Sequence, residues 1–264
     1  MCAVMELCVK SGIFAKDKER NMKRAIIIGA SSGIGLEVSR LLLADGWILG
    51  VAARRTENLL ELQRLAANRV FVETIDVTKD DAAERLGTLI RKVGGMDLYF
   101  HASGIGKQNR DLQADIELQT VNTNGMGFVR MVGEAFRFME QHGGGHIAVI
   151  SSIAGTKGLS AAPSYSATKA LQNTYIQALE QLANSRGLNI AFTDIRPGFV
   201  DTALLRDGNC YPMLLKPDEV ACDIVRSINR RRHIRIIDFR WRIVTALWRR
   251  IPRWIWRRMR LQQT

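Results

Sequence analysis

Apolar positions along this chain fall into two patterns that alternate. Short stretches rich in apolar residues at 25–28, 47–53, 70–75, 97–102, 145–152, 188–195 and, more briefly, 234–238 read as strands, and the first, Ala25-Ile26-Ile27-Ile28, is the continuous apolar run of a strand buried on both faces. Between them the apolar residues fall at helical spacing. Leu36, Val38, Leu41 and Leu42 follow the first run, and the same periodicity returns over 79–93, 112–140, 163–186 and 217–230. Regular strand–helix alternation predicts an α/β protein: a three-layer, doubly wound parallel sheet of about seven strands with helices on both faces. With no internal repeat and no linker, residues 23–240 are expected to form one domain. Residues 1–22 read as an N-terminal extension, expected to be poorly ordered or loosely packed, and 241–264 as a separate tail.

The first strand runs into Gly29-Ala30-Ser31-Ser32-Gly33-Ile34-Gly35 and then into a helix. Strand, glycine-rich turn and helix in that order make the Rossmann-like dinucleotide site. Glycines let backbone N–H groups approach a pyrophosphate at the positive end of the helix. The second strand ends at Arg54-Arg55 with no acid beside them. An acid there would bind ribose hydroxyls, whereas arginines suit a 2′-phosphate, so NADP(H) is expected over NAD(H).

Tyr165 and Lys169 are four apart in a predicted helix and share one face. A phenol ionises near pH ~10, and a nearby cation favours its anion and lowers that value. With a hydroxyl from the strand end at Ser151-Ser152, the pair makes a proton-transfer device.

These landmarks together resemble the short-chain dehydrogenase/reductase family over roughly residues 23–240. The resemblance rests on GASSGIG at 29–35, Asp76-Val77, HASG at 101–104, Asn122, Ser152, YSATK at 165–169 and RPGFVDT at 196–202. It implies hydride transfer between a nicotinamide cofactor and a carbonyl or alcohol, with catalytic Asn122, Ser152, Tyr165 and Lys169. Tyr165 would be the acid–base group and Ser152 would hold the substrate oxygen. Lys169 would hold the nicotinamide ribose and depress the Tyr165 pKa, and Asn122 would bend its helix to seat a relay water. Asp76 would receive the adenine amino group, Val77 would touch the ring and Thr202 would orient the carboxamide. Ala102, Gly104, Pro197, Gly198 and Val200 are further cofactor contacts it implies, with Gly29, Ser31, Ser32, Gly33, Ile34, Gly35, Arg54 and Arg55. The loop departs from the family's NNAG, both Asn being absent, and no chemistry is assigned to His101. Homodimers or tetramers are expected from the family's habits. The competing class is a non-catalytic NADP(H)-binding sensor or scaffold, which has no need of Ser152, Tyr165 and Lys169 together.

Charge changes the picture at one end. From Arg226 onward there are thirteen Arg and one acid, Asp238, so this segment carries the whole net charge of +12. Residues 241–261 place Val244, Leu247, Trp248, Ile251, Trp254, Ile255 and Met259 on one side of a helix and six Arg on the other, with a break at Pro252. Three readings stay open: a peripheral membrane-surface segment, a helix packed on its own subunit or a neighbour, and a non-specific nucleic-acid binder. A membrane seat makes a long-chain keto-lipid substrate attractive. No apolar run approaches the ~18 residues that span a bilayer. Cys2, Cys8, Cys210 and Cys222 form no CxxC pair, so reduced thiols and a cytoplasmic protein, peripheral on the inner face of a membrane, are expected. His142 and His146 flank three glycines without acidic or Cys partners and read as loop residues, so no metal is expected.

Overall fold

The computed structural model describes residues 23–205 and 211–259; the N-terminal extension lies outside them. Seven strands, β1 (Arg24–Ile28), β2 (Ile48–Ala53), β3 (Val70–Thr74), β4 (Leu98–His101), β5 (Gly145–Ile150), β6 (Ile190–Arg196) and β7 (Ile234–Ile236), form one sheet in the order β3-β2-β1-β4-β5-β6-β7. Every pairing is parallel. Side chains on a strand alternate between faces, so Ala25 and Ile27 enter one core and Ile26 and Ile28 the other. The first core is closed by α1 (Gly33–Ala44), α2 (Glu57–Leu65) and α7 (Pro217–Asn229). The second is closed by α3 (Ala82–Val93), α5 (Phe128–Gln141) and α6 (Pro163–Ser185). The apolar richness of the strands follows from this double cover. Helix α3 shows the periodicity plainly: Ala82, Leu86, Leu89, Ile90 and Val93 are buried, and Gly94 ends the helix in the left-handed region at φ 81°.

The order reverses at β1, which has β2 on one side and β4 on the other. Chain segments leaving β1 and β4 therefore diverge and open a crevice at the strands' C-terminal ends, where ligands of such sheets bind.

Residues 112–140 do not form the single helix their periodicity predicts. Helix α4 (Ala114–Val121) passes into a π-helical turn, Asn122–Gly127, before α5 begins. Such turns shift the helical register by one residue and occur at functional sites. Gly127 explains the close packing here, because a Cβ on it would stand 2.8 Å from the Val77 side chain and 3.0 Å from its carbonyl oxygen.

After β7, Asp238 caps helix α8 (Phe239–Trp248) by accepting from the Arg240 N–H at 2.7 Å. Pro252 separates it from the short α9 (Arg253–Trp256), as its missing N–H requires. Trp241 is buried edge-on against Phe199, ring centroids 5.4 Å apart, so the beginning of the tail is part of the core. His146 is a buried residue of β5 bonded to Thr193, rather than a loop histidine. Cys222 on α7 is disulfide-bonded, which differs from the expectation of reduced thiols.

Candidate active site

Every predicted site residue except Asn122 lines one cleft of about 700 Å³ at the crevice. At its floor, Gly29 has φ 90°, and a Cβ on it would meet the Ser103 amide nitrogen at 2.6 Å. A Cβ on Gly35 would stand 2.2 Å from the Gly29 carbonyl oxygen. Only glycine permits this turn. Ser32 precedes α1 in extended conformation but its hydroxyl does not cap the helix, so the first α1 amides face the cleft as an anion site. Arg54 and Arg55 stand exposed at the rim. Beside them, burial raises the Asp76 carboxyl, but hydrogen bonds from Thr78 together with Arg54 and Lys79 outweigh it and hold it below the usual range. At the other end the Trp241 indole N–H is buried with no acceptor among the described residues, close against Gly198. A polar ligand with phosphates at one end fits this donor set.

The reactive end is built by β5 and α6. Ser152 follows β5, its Oγ accepting from the Ala154 amide at 3.1 Å and bonding the Tyr165 hydroxyl. Pro163 opens α6, where its missing N–H costs nothing, and the first turn presents Tyr165. Its ring lies so near the chain that a Cβ on Gly106 would be 2.8 Å away. Lys169, one turn on, is buried; its Nζ donates to Ile150 O at 3.0 Å and to Gln172 Oε1 at 2.9 Å. Burial lowers its pKa to about 8, opposed by the charge of Asp194. Lys169 Nζ lies 5.7 Å from the Tyr165 ring centroid. The phenol is not depressed as the spacing suggested: burial pushes it above its ordinary value, and the bond to Ser152 opposes this only in part. Tyr165 is thus held protonated, the form that donates.

Asn122 is exposed and outside the cleft. Asn124, two residues on, is fully buried and clasps the loop after β4, accepting from Ile105 N at 2.9 Å and donating to Ile105 O at 2.6 Å. Its own carbonyl accepts from Gln172 Nε2 at 2.8 Å. The amide of Gln172, itself buried, therefore bridges the Asn124 backbone and the Lys169 ammonium, where a relay water was expected. Sequence reading missed both residues. The signal was present: Asn124 is four before Phe128 and eight before Val132, all buried on one face. His101, in place of the loop's first Asn, is buried and held neutral, its pKa lowered to about 3 by burial and by Lys169, and bonds the Tyr99 hydroxyl at 2.9 Å.

Beyond Tyr165 the cleft wall is largely apolar: Phe199, Leu204, Leu205, Tyr211, Trp241 and Trp248. The tail is pinned to the loop between Ser152 and α6. Trp248 Nε1 donates to Thr156 Oγ1 at 2.7 Å, Trp256 Nε1 to Gly158 O at 2.8 Å, and Lys157 Nζ to Ile251 O at 2.8 Å. The expected single apolar side is therefore split. Val244, Trp248, Ile251 and Ile255 are half-buried, while Leu247, Trp254 and Met259 are exposed.

Comparison with known proteins places the chain in a family. An uncharacterized oxidoreductase of Staphylococcus aureus is 29% identical over 219 residues, covering 81% of this chain and 94% of that protein. An uncharacterized oxidoreductase of Myxococcus xanthus is 33% identical over 201 residues, covering 74% of this chain and 78% of its own. An alcohol dehydrogenase from the archaeon Thermococcus sibiricus, solved in complex with 5-hydroxy-NADP, superposes with a TM-score of 0.69 at 26% identity over 82% of this chain and 95% of that one. The family model described as short chain dehydrogenase matches residues 23–209, and the chain belongs to that family.

Proposed function

We propose that this oxidoreductase is an NADPH-dependent carbonyl reductase, or the reverse alcohol dehydrogenase, with Tyr165 as its acid–base group. The observation that carries this reading is the convergence of Ser152, a protonated Tyr165 and a cationic Lys169 at one end of a cleft whose other end is a glycine turn and a helix N-terminus. The nicotinamide supplies the hydride when bound, and the protein's own part is to place and protonate. Ser152 and Tyr165 hold the carbonyl oxygen between their hydroxyls, Tyr165 passes its proton to that oxygen, and Lys169 holds the nicotinamide ribose. Asn124, rather than Asn122, is the asparagine of this site, and its part is to fix the loop at Ile105 beside the phenol. A binding protein without chemistry has no use for this set; oxidation of NADPH with a panel of ketones and aldehydes separates the two classes.

Arg54 and Arg55 support the preference for NADPH, as does the NADP analogue on the Thermococcus neighbour. Loss of a charge-assisted hydrogen bond to phosphate costs about 1.5–3 kcal/mol. Arg54→Ala is therefore expected to raise the NADPH dissociation constant roughly 10- to 100-fold and to leave that of NADH within about threefold. Equal effects on both would refute the 2′-phosphate assignment.

The apolar wall and the tail tryptophans suit a long-chain carbonyl, such as a 3-ketoacyl or 3-ketosphingoid compound, met at the inner face of a membrane. Lengthening the acyl chain of a ketone series should then lower KM steadily, by about 0.8 kcal/mol for each buried CH₂. A flat series would remove the lipid assignment and leave the chemistry standing.

A further inference from the structure

We propose that the outward side of α8 and α9 is a docking surface for anionic lipid. At 100° per residue, Trp241, Thr245 and Trp248 point one way and Phe239, Ile243 and Leu247 the opposite way. The first set is spent on the protein: Trp241 and Thr245 are buried and Trp248 bonds Thr156. The second set, with Trp254, stands 56–67% exposed. This stripe is not the one the sequence pattern selected, since Phe239 and Ile243 were outside it and Trp248 and Ile251 are engaged inward. Exposed arginines flank it on both helices: Arg242, Arg249, Arg250, Arg253, Arg257 and Arg258. The one acid in the sequence from Arg226 onward, Asp238, is closed onto Arg240. An apolar ridge framed by cations that form no salt bridge among the described residues is complementary to a headgroup layer over hydrocarbon, rather than to a neutral protein face. No helix among the described residues is long and apolar enough to cross a membrane, so the surface rests on the bilayer. The helix that rests there also walls the cleft with Trp241 and Trp248.

The test is co-sedimentation of the full chain with phosphatidylcholine vesicles made with and without phosphatidylglycerol. Removing the tail would expose the core around Trp241, so point variants are used. Binding is expected to anionic vesicles, with each of Arg253→Glu and Arg257→Glu weakening it about fivefold or more. Ile243→Glu with Leu247→Glu should reduce it at least about tenfold, with circular dichroism and NADPH binding unchanged. Equal binding of that pair and the parent would overturn the proposal. So would light scattering in which the same pair splits an oligomer the parent forms, since a second copy would then cover the stripe.

A separate observation, the buried bridge at Gln172, carries a second inference. We infer that Gln172 is a positioning residue that holds the Lys169 ammonium in place and ties it to the Asn124 carbonyl. This rests on the hydride-transfer reading above. The charged and titratable groups facing Lys169 are Tyr165 on its own helix, Asp194 on β6 and the neutral His101 on β4. Lysine loses its charge as pH rises, so the parent's kcat/KM for NADPH should fall through a pH of about 8. Gln172→Glu puts a carboxylate against the ammonium and should move that fall to higher pH. Gln172→Leu keeps the volume but leaves the ammonium with the Ile150 carbonyl and without its tie to Asn124, and should lower kcat about tenfold with little change in NADPH affinity. A purely structural role would move the melting temperature and leave the pH profile alone. If Tyr165→Phe abolishes turnover and both Gln172 variants keep the parent profile, the bridge has no positioning role and the hydride-transfer reading stands. If Tyr165→Phe leaves turnover intact, that reading fails first.

Discussion

Tyr165→Phe is expected to lower kcat for carbonyl reduction about 10³-fold, within the range assigned to a positioned acid–base group. The substitution removes one oxygen and keeps the ring that packs on Gly106, so fold and cleft shape should survive. NADPH affinity should stay within about threefold, since the phosphate site proposed above, the residue 29–35 turn and the first α1 amides, is at the far end of the cleft. The size of the effect follows from the state of the phenol. Burial raises its pKa above the ordinary tyrosine value and the Ser152 bond opposes this only partly, so the proton is present at neutral pH and available to the substrate oxygen. Single-turnover measurements with preloaded NADPH separate this from slow product release. A variant that keeps more than a few per cent of the parent rate would mean the proton comes from another group.

The parts of this molecule that sequence made legible share one physical property: each is a local pattern with a local cause. A strand covered on both faces favours apolar residues along its length, so β1 was visible at Ala25-Ile26-Ile27-Ile28. A turn that admits no Cβ has to be glycine, so Gly29 and Gly35 marked the phosphate end. Two features resisted because they are set by packing between distant segments. The π-helical turn at Asn122–Gly127 changes which residue faces inward, and it packs through Gly127 against Val77, about fifty positions earlier. The tail's periodicity identified an amphipathic helix but not which of its two partly apolar sides meets protein. That choice is made by Thr156 and Gly158 accepting from the Trp248 and Trp256 indoles. The Tyr165 pKa resisted for a related reason: spacing gives the distance to Lys169, whereas burial, which dominates, comes from the whole cleft wall.

Asn124→Ala and Asn122→Ala should therefore behave very differently, although both lie in the same turn and either fits the family's asparagine by type. Truncating Asn124 leaves the Ile105 amide and carbonyl without their partners, at about 1–3 kcal/mol for the unsatisfied pair, and frees the loop that packs Gly106 on the Tyr165 ring. Misplacement of a catalytic group by about 1 Å costs on the order of 10²-fold, and kcat should fall by roughly that amount. The loss should appear in kcat more than in the KM for NADPH, because Asn124 touches the reactive end and not the phosphate end. Asn122 is exposed, and its truncation should change kcat less than about twofold, as surface substitutions do. Asn124→Asp should rescue little. Its carboxylate still accepts from the Ile105 amide, but it faces the Ile105 carbonyl oxygen, now 2.6 Å away, with no proton to share. Steady-state kinetics on the four proteins decide it. Equal losses at both asparagines would place the functional residue back at 122, and equal indifference would remove the asparagine from the mechanism.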